Sequence, residues 1–263
     1  MQSWIRSTLC FAAMAAGLAA PSLVKADTIT ATLTSLDPYV FGTLDLQGSP
    51  SVDGGIGNII WQGASTNEAP FAAGFNTYCI DLIQDVDFGG TYTFNIEPLA
   101  SAPKAGAYIG GTPSNGMGTA KADDLEALFG VDYSKTQGSS PSAETAKEAF
   151  QLAIWNIIYD SDSSVSTGSG TFYAGSDVAS GAISVANGFL ADALNPNNQQ
   201  YDATDLIALV GENGAQDQIA LDPLIPISAQ PPSGAPLPSS GLAGLVLIAG
   251  FGFFKWHRRA GAA

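Results

Sequence analysis

A strongly amphipathic helix sits in the middle of a chain otherwise patterned for short strands. No other feature limits the fold as much. Over residues 142–160 the apolar side chains Ala146, Ala149, Phe150, Ala153, Ile154, Ile157 and Ile158 recur at helical spacing and form one stripe. Thr145 and Glu148 have the spacing of a capping box, after Pro141 and Ser142 open the turn. Gln151 lies on the shoulder of the stripe, one turn before Trp155. Ahead of this helix, segments 28–34, 39–46, 58–62, 75–83 and 92–96 are rich in β-branched and aromatic residues and are separated by Gly- and Asp-containing turns. Residues 120–129 predict a weaker helix stopped by Gly130.

After the main helix comes a Ser/Gly/Asp loop over 160–171. A second helix over 177–194 packs Ala179, Ala182, Ile183, Ala186, Phe189 and Leu190. Segments 205–210 and 218–221 flank Glu212-Asn213-Gly214 as a closing hairpin. The expected class is α+β: a β-rich part, barrel- or sandwich-like, with a helical subdomain inserted over about residues 103–195.

The two ends read as sorting signals. Residues 1–26 have Arg6, an apolar stretch over 9–18, and the small-x-small run Val24-Lys25-Ala26, the layout of a secretory signal peptide. The domain then spans 27–229. Residues 230–240 form a proline-rich linker containing Pro236-Leu237-Pro238. Residues 241–254 are an apolar run, and 255–263 hold Lys255, Arg258 and Arg259. The apolar run is shorter than the roughly 20 residues of a comfortable membrane span, although Trp256 and the basic end extend it. This tail resembles the PEP-CTERM sorting signal, with Pro236-Leu237-Pro238 where many members have Pro-Glu-Pro. The resemblance implies export in a Gram-negative bacterium, an exosortase-type processing enzyme as partner, and transient or retained anchoring in the inner membrane. Surface or extracellular matrix is then the expected location.

Between the ends lie all 24 acidic residues, against only Lys104, Lys121, Lys135 and Lys147. Such a body does not suit nucleic acid or an anionic membrane, which require clustered cations. The single histidine, His257, belongs to the tail, so the body has no histidine for a catalytic triad or a metal. Asp123-Asp124 reads as capping or preceding a helix. Asp160-Ser161-Asp162 begins like a calcium loop, but Val165 and Thr171 stand where that loop needs Gly and Glu, and Asp85-Val86-Asp87 is no better placed. No metal, no cofactor and no turnover enzyme are expected.

With Cys10 removed alongside the signal peptide, Cys79 is the one thiol of an exported body. A thiol held against a carboxamide can expel ammonia and leave an internal thioester, and Gln151 is a well-placed carboxamide. Tyr78-Cys79-Ile80 on a strand, followed by Gln151-Leu152-Ala153-Ile154-Trp155 on a helix, resembles the thioester domains of bacterial surface adhesins. Those carry an aromatic-Cys-aliphatic motif and later Thr-Gln-x-Ala. Here Phe150 replaces the Thr, and the likeness covers about residues 39–221.

The resemblance implies a Cys79–Gln151 cross-link shielded by Tyr78 and Trp155. It also implies an amine-bearing surface ligand, a protein lysine or a polyamine-like group, joined to Gln151 by an isopeptide-type bond. The alternative is a non-reactive structural protein of the envelope or exopolysaccharide matrix in which Cys79 is core.

Overall fold

Alternation builds the first strand of the computed structural model, which describes residues 28–221 apart from 48–49, 67–70, 72, 104–115, 161, 167–169 and 199–205. In β1 (Thr28–Asp37) Ile29, Ala31 and Leu33 are buried at every second position, and the next buried residue is Leu36. The extra residue is a register shift between Leu33 and Ser35 against β4, a bulge that turns the strand as it leaves the sheet. β4 (Asn58–Thr66) and β6 (Thr91–Pro98) flank β1 on its two sides. β5 (Phe75–Cys79), β8 (Leu206–Gly211) and β9 (Gln218–Leu221) complete a closed barrel in the order β1-β4-β5-β9-β8-β6, every pair antiparallel. Closure removes the exposed edges of an open sheet. The β-rich part is thus a barrel, and the expected hairpin is its β8–β9 pair.

A second sheet, in the order β3-β2-β7, joins β3 (Val52–Gly55), β2 (Phe41–Leu46) and β7 (Phe172–Ala174). Two of its strands were not expected. β3 reads Val-Asp-Gly-Gly and has little strand propensity of its own, and β7 is three residues long. The helical part is therefore not continuous over 103–195, because β7 returns to the sheet between two helices.

Three helices pack together, and the middle one, Pro141–Tyr159, joins them to the barrel at β5 and β4. α1 (Thr119–Asp132) starts at Gly118, whose φ of 82° suits glycine, and it continues through Gly130 instead of stopping there. Glycine in a helix costs about 1 kcal/mol, less than the gain from burying Leu125, Leu128 and Phe129. Asp123 and Asp124 lie inside α1 and do not cap it. α2 (Pro141–Tyr159) is capped by Ser140, whose Oγ accepts from the Ala143 N–H at 3.2 Å. Thr145 and Glu148 are interior residues, and the Thr145 hydroxyl donates back to the Pro141 carbonyl. The N-cap is therefore Ser140 with Pro141 at N1, and Ala143 stands at N3 where a capping box needs Glu or Gln.

α3 (Ser180–Ala193) buries Ala182, Ala186, Phe189, Leu190 and Ala193, while Ala179 is an exposed N-cap and Ile183 is half-buried. α2 is the central element. It packs on α1, α3, β5 and β7, so every residue from Ala149 to Tyr159 is buried. The signal peptide, the Pro236-Leu237-Pro238 motif, the apolar run and the basic end all lie outside the described residues. Among the described residues no helix is long and apolar enough to cross a membrane.

Candidate functional site

β5 reaches Cys79 with one edge uncovered. On one side the chain still bonds β9, since the Ile80 N–H donates to the Asp217 carbonyl at 3.1 Å. Backbone groups alternate sides along a strand, so the N–H and C=O of Cys79 point the other way. There the β4 pairing has already ended at Ile59–Thr77. Buried backbone groups need partners, and Gln151 supplies both. Its Oε1 accepts from the Cys79 N–H at 2.8 Å, and its Nε2 donates to the Cys79 carbonyl at 2.8 Å. The carboxamide is fully buried and lies against β5 as one more residue of β4 would.

The sulfur is held just as closely. The Cys79 thiol donates to the Asp81 carbonyl at 2.9 Å, and the Asp81 N–H approaches Sγ at 3.3 Å. Burial pushes the thiol pKa well above its ordinary value. The Asp81 carboxylate adds to this, the Trp155 indole and the Asp81 backbone oppose it, and Asp217 raises it slightly further. The resting group at neutral pH is therefore a neutral thiol. The Trp155 nitrogen faces the sulfur without hydrogen-bond geometry, and it has no partner among the described residues.

A buried relay fixes the Asp81 peptide. Trp61 Nε1 donates to Thr77 Oγ1 at 2.8 Å, and Thr77 Oγ1 donates to Gln218 Oε1 at 3.0 Å. Gln218 Nε2 donates to Gln216 Oε1 at 3.0 Å, and Gln216 Nε2 donates to the Asp81 carbonyl at 3.0 Å. The Tyr159 hydroxyl pins the following turn, accepting from the Leu82 N–H at 3.0 Å and donating to the Ile80 carbonyl at 3.3 Å. The Asp81 carboxylate accepts from the Ile83 N–H, and this turn ends β5 at Cys79, short of the expected Ile83.

Tyr78 and Trp155 are both buried beside the pair. Tyr78 points to the helices, with ring centroids 5.0 Å from Phe150 and 6.3 Å from Phe129. Phe150, the departure from Thr, is thus the centre of an aromatic cluster that also takes in Tyr133 and Phe189. Sequence reasoning missed Asp81, Gln216, Gln218 and Tyr159. Two glutamines at i and i+2 leading into a buried strand are the hint that was there to find.

Among the described residues no three of His, Cys, Asp and Glu converge as metal ligands. Asp160 closes its loop instead, accepting from the Phe172 N–H at 2.9 Å.

No protein-family model matches the chain, and no curated protein matches it. Among solved structures it is similar to the N-terminal domain of the Streptococcus pyogenes pilus tip adhesin Cpa, at 14% identity over 76% of this chain and 95% of that one, with a TM-score of 0.41. It is also similar to the N-terminal thioester domain of fibronectin-binding protein SfbI from Streptococcus pyogenes, at 12% identity over 72% of this chain and 96% of that one, with a TM-score of 0.38.

Proposed function

We propose that this domain forms an internal thioester between Cys79 and Gln151 and uses it once, to attach covalently to an amine-bearing target. The observation that carries the reading is the carboxamide clamped across the Cys79 backbone by two 2.8 Å hydrogen bonds in a fully buried setting. Sγ attacks Gln151 Cδ, and the negative charge gathering on Oε1 meets the Cys79 N–H already directed at it. The thiol has first lost its proton to solvent, Nε2 takes one from water, the Cδ–Nε2 bond breaks, and ammonia leaves.

The product is a bond between strand and helix that the fold holds ready, and proximity supplies much of the drive. A primary amine then attacks Cδ, the Cδ–Sγ bond breaks, and the amine's proton returns to sulfur. The target ends joined by an amide to the Gln151 side chain. Each molecule reacts once, so this is an attachment device and not a turnover catalyst. With the tail described above, it would act outside the cell, at the surface or in the matrix of a Gram-negative bacterium, after processing by an exosortase-type enzyme.

A second reading draws on the same contacts. Gln151 satisfies an edge that β4 leaves bare, which is all that a non-reactive matrix protein would need. The intact mass of the chain lacking residues 1–26 and everything after 229 separates the two. A mass lower by one ammonia, raised by methylamine and unshifted in Cys79→Ala, establishes the thioester. An unshifted mass in freshly folded protein overturns it.

A further inference from the structure

α2 carries Trp155 one turn after Gln151, so carboxamide and indole share a face of the helix beside Cys79. The indole is buried, and its six-membered ring packs toward β3. Cη2 of that ring stands 4.0 Å from where a β-carbon on Gly54 would be, and Phe172 is tilted against the indole at a centroid distance of 6.2 Å. The indole N–H is turned to the Cys79 sulfur. It has no hydrogen-bond partner among the described residues, and a buried donor left in that position is a cost to the fold. A shield of apolar surface alone has no use for the N–H.

The sulfur's neighbours sort by the charge they favour. The Asp81 carbonyl accepts the thiol proton at 2.9 Å and suits the neutral group. The Asp81 N–H, 3.3 Å from Sγ, and the Trp155 N–H suit a thiolate. The Asp81 and Asp217 carboxylates act against a thiolate, as burial does. A thiol or thioester sulfur is a poor acceptor, whereas a thiolate takes charge-assisted bonds. In the proposed chemistry the sulfur is charged twice, as the nucleophile that attacks Gln151 Cδ and as the group that leaves when an amine adds. An N–H idle in both resting states and bonded in both charged ones lowers barriers without tightening a ground state.

Resting on the thioester reading, we propose that Trp155 is a catalytic residue whose indole N–H holds the negative charge of Cys79 Sγ in both steps. In the first, the thiolate, its proton already lost to solvent, bonds to the Trp155 N–H as it attacks Gln151 Cδ. That hydrogen bond is given up as Cδ–Sγ forms and ammonia leaves with a proton from water. In the second, the amine's attack breaks Cδ–Sγ, the electron pair returns to sulfur against the same N–H, and the amine's proton follows.

The test keeps both rings and removes the donor. Benzothienylalanine, placed at position 155 alone, has a sulfur where the indole has its N–H. Ammonia loss from freshly folded protein and methylamine uptake by the thioester are each followed by intact mass against time. Both should slow about tenfold, the lower end of what one hydrogen bond to a charged group is worth, while the thermal midpoint does not fall. A shield alone predicts no change, because the isostere covers the site as the indole does. An isostere that matches wild type in either step overturns the proposal. So does one whose thermal midpoint drops along with its rates, since packing then accounts for the loss.

A wild-type chain that never loses ammonia refutes the thioester and not the donor. The donor is then read on the free thiol, by the ultraviolet absorbance of the thiolate as the pH is raised. The isostere's thiol should begin to titrate about one pH unit later than that of wild type, the equivalent of the same tenfold effect. Coincident titrations would refute the donor.

Discussion

Lys147, one helical turn before Gln151, is buried and pairs with Asp37 at the end of β1. Its ammonium also donates to the Gly138 carbonyl at 2.8 Å. A helix sliding along a barrel by one residue would carry Gln151 past Cys79, and this tie between α2 and β1 opposes that slide. Removing one partner of a buried pair costs about 3–5 kcal/mol, but Asp37 is 40% exposed and can rehydrate. Lys147→Ala should therefore lose about 1–3 kcal/mol, and a smaller fraction of the protein should lose ammonia. Urea denaturation and intact mass on the same preparation check both halves, and a full ammonia loss in a destabilised variant would free Gln151 from this anchor.

The two members of the central pair should fail in different ways. Cys79→Ala removes a small buried group and should cost about 1 kcal/mol relative to the protein without its cross-link. Gln151→Ala strips the partners from two buried backbone groups of Cys79, and each unsatisfied group costs about 1–3 kcal/mol. Both should abolish methylamine uptake, and of the two Gln151→Ala should have the markedly lower denaturation midpoint. Measuring midpoint and uptake for each variant shows whether the carboxamide has the structural role as well as the chemical one.

How much of this was legible in the sequence follows the reach of each interaction. The α2 stripe, the β-branched run at 28–34 and the β8–β9 hairpin are local patterns, and all three stand in the structure. β3 and β7 were not legible, because Gly54 and Gly55 pair through backbone alone and three residues carry no period. Cys79 and Gln151 were singled out by residue type and motif. What could not be read was the means of holding them, since the relay from Trp61 to Asp81 crosses from β4 to β9 and no short-range pattern encodes that closure. Gln151 looked like a shoulder residue because a stripe describes one face. Here α2 is covered on all faces from Ala149 onward.

Bond formation should be steeply pH-dependent. Burial, more than any other factor, holds the Cys79 thiol protonated well above its ordinary range. The nucleophile is the thiolate, so the initial rate should rise about tenfold per pH unit from about pH 7 and should still be rising as the pH passes the ordinary thiol value of about 8.5. The sign for stability is opposite. The folded state holds this proton more tightly, so the uncross-linked protein should lose stability once the pH passes the unfolded thiol value of about 8.5. Time courses of ammonia loss at stepped pH test the first claim. A plateau below about pH 8 would show that the thiol is activated in a way its surroundings do not display.

Phe150→Thr restores the residue that the adhesin motif carries before its glutamine, and it should damage this protein. Phe150 is fully buried among Tyr78, Phe129 and Phe189, at centroid distances of 5.0, 4.9 and 6.1 Å. Threonine would leave a cavity in that cluster and bring in a hydroxyl, for a loss of about 3–5 kcal/mol. The carboxamide gains nothing in return, because both its ends are already bonded to Cys79. Loss of the aromatic cover should also let water reach the thioester, so the variant should gain one water on its ammonia-depleted mass, leaving a carboxylate at position 151, faster than wild type. Thermal denaturation together with mass after prolonged incubation decides it. A variant as stable as wild type with faster ammonia loss would mean that Phe150 is a tolerated substitution for the hydroxyl and not the residue around which this cluster is built.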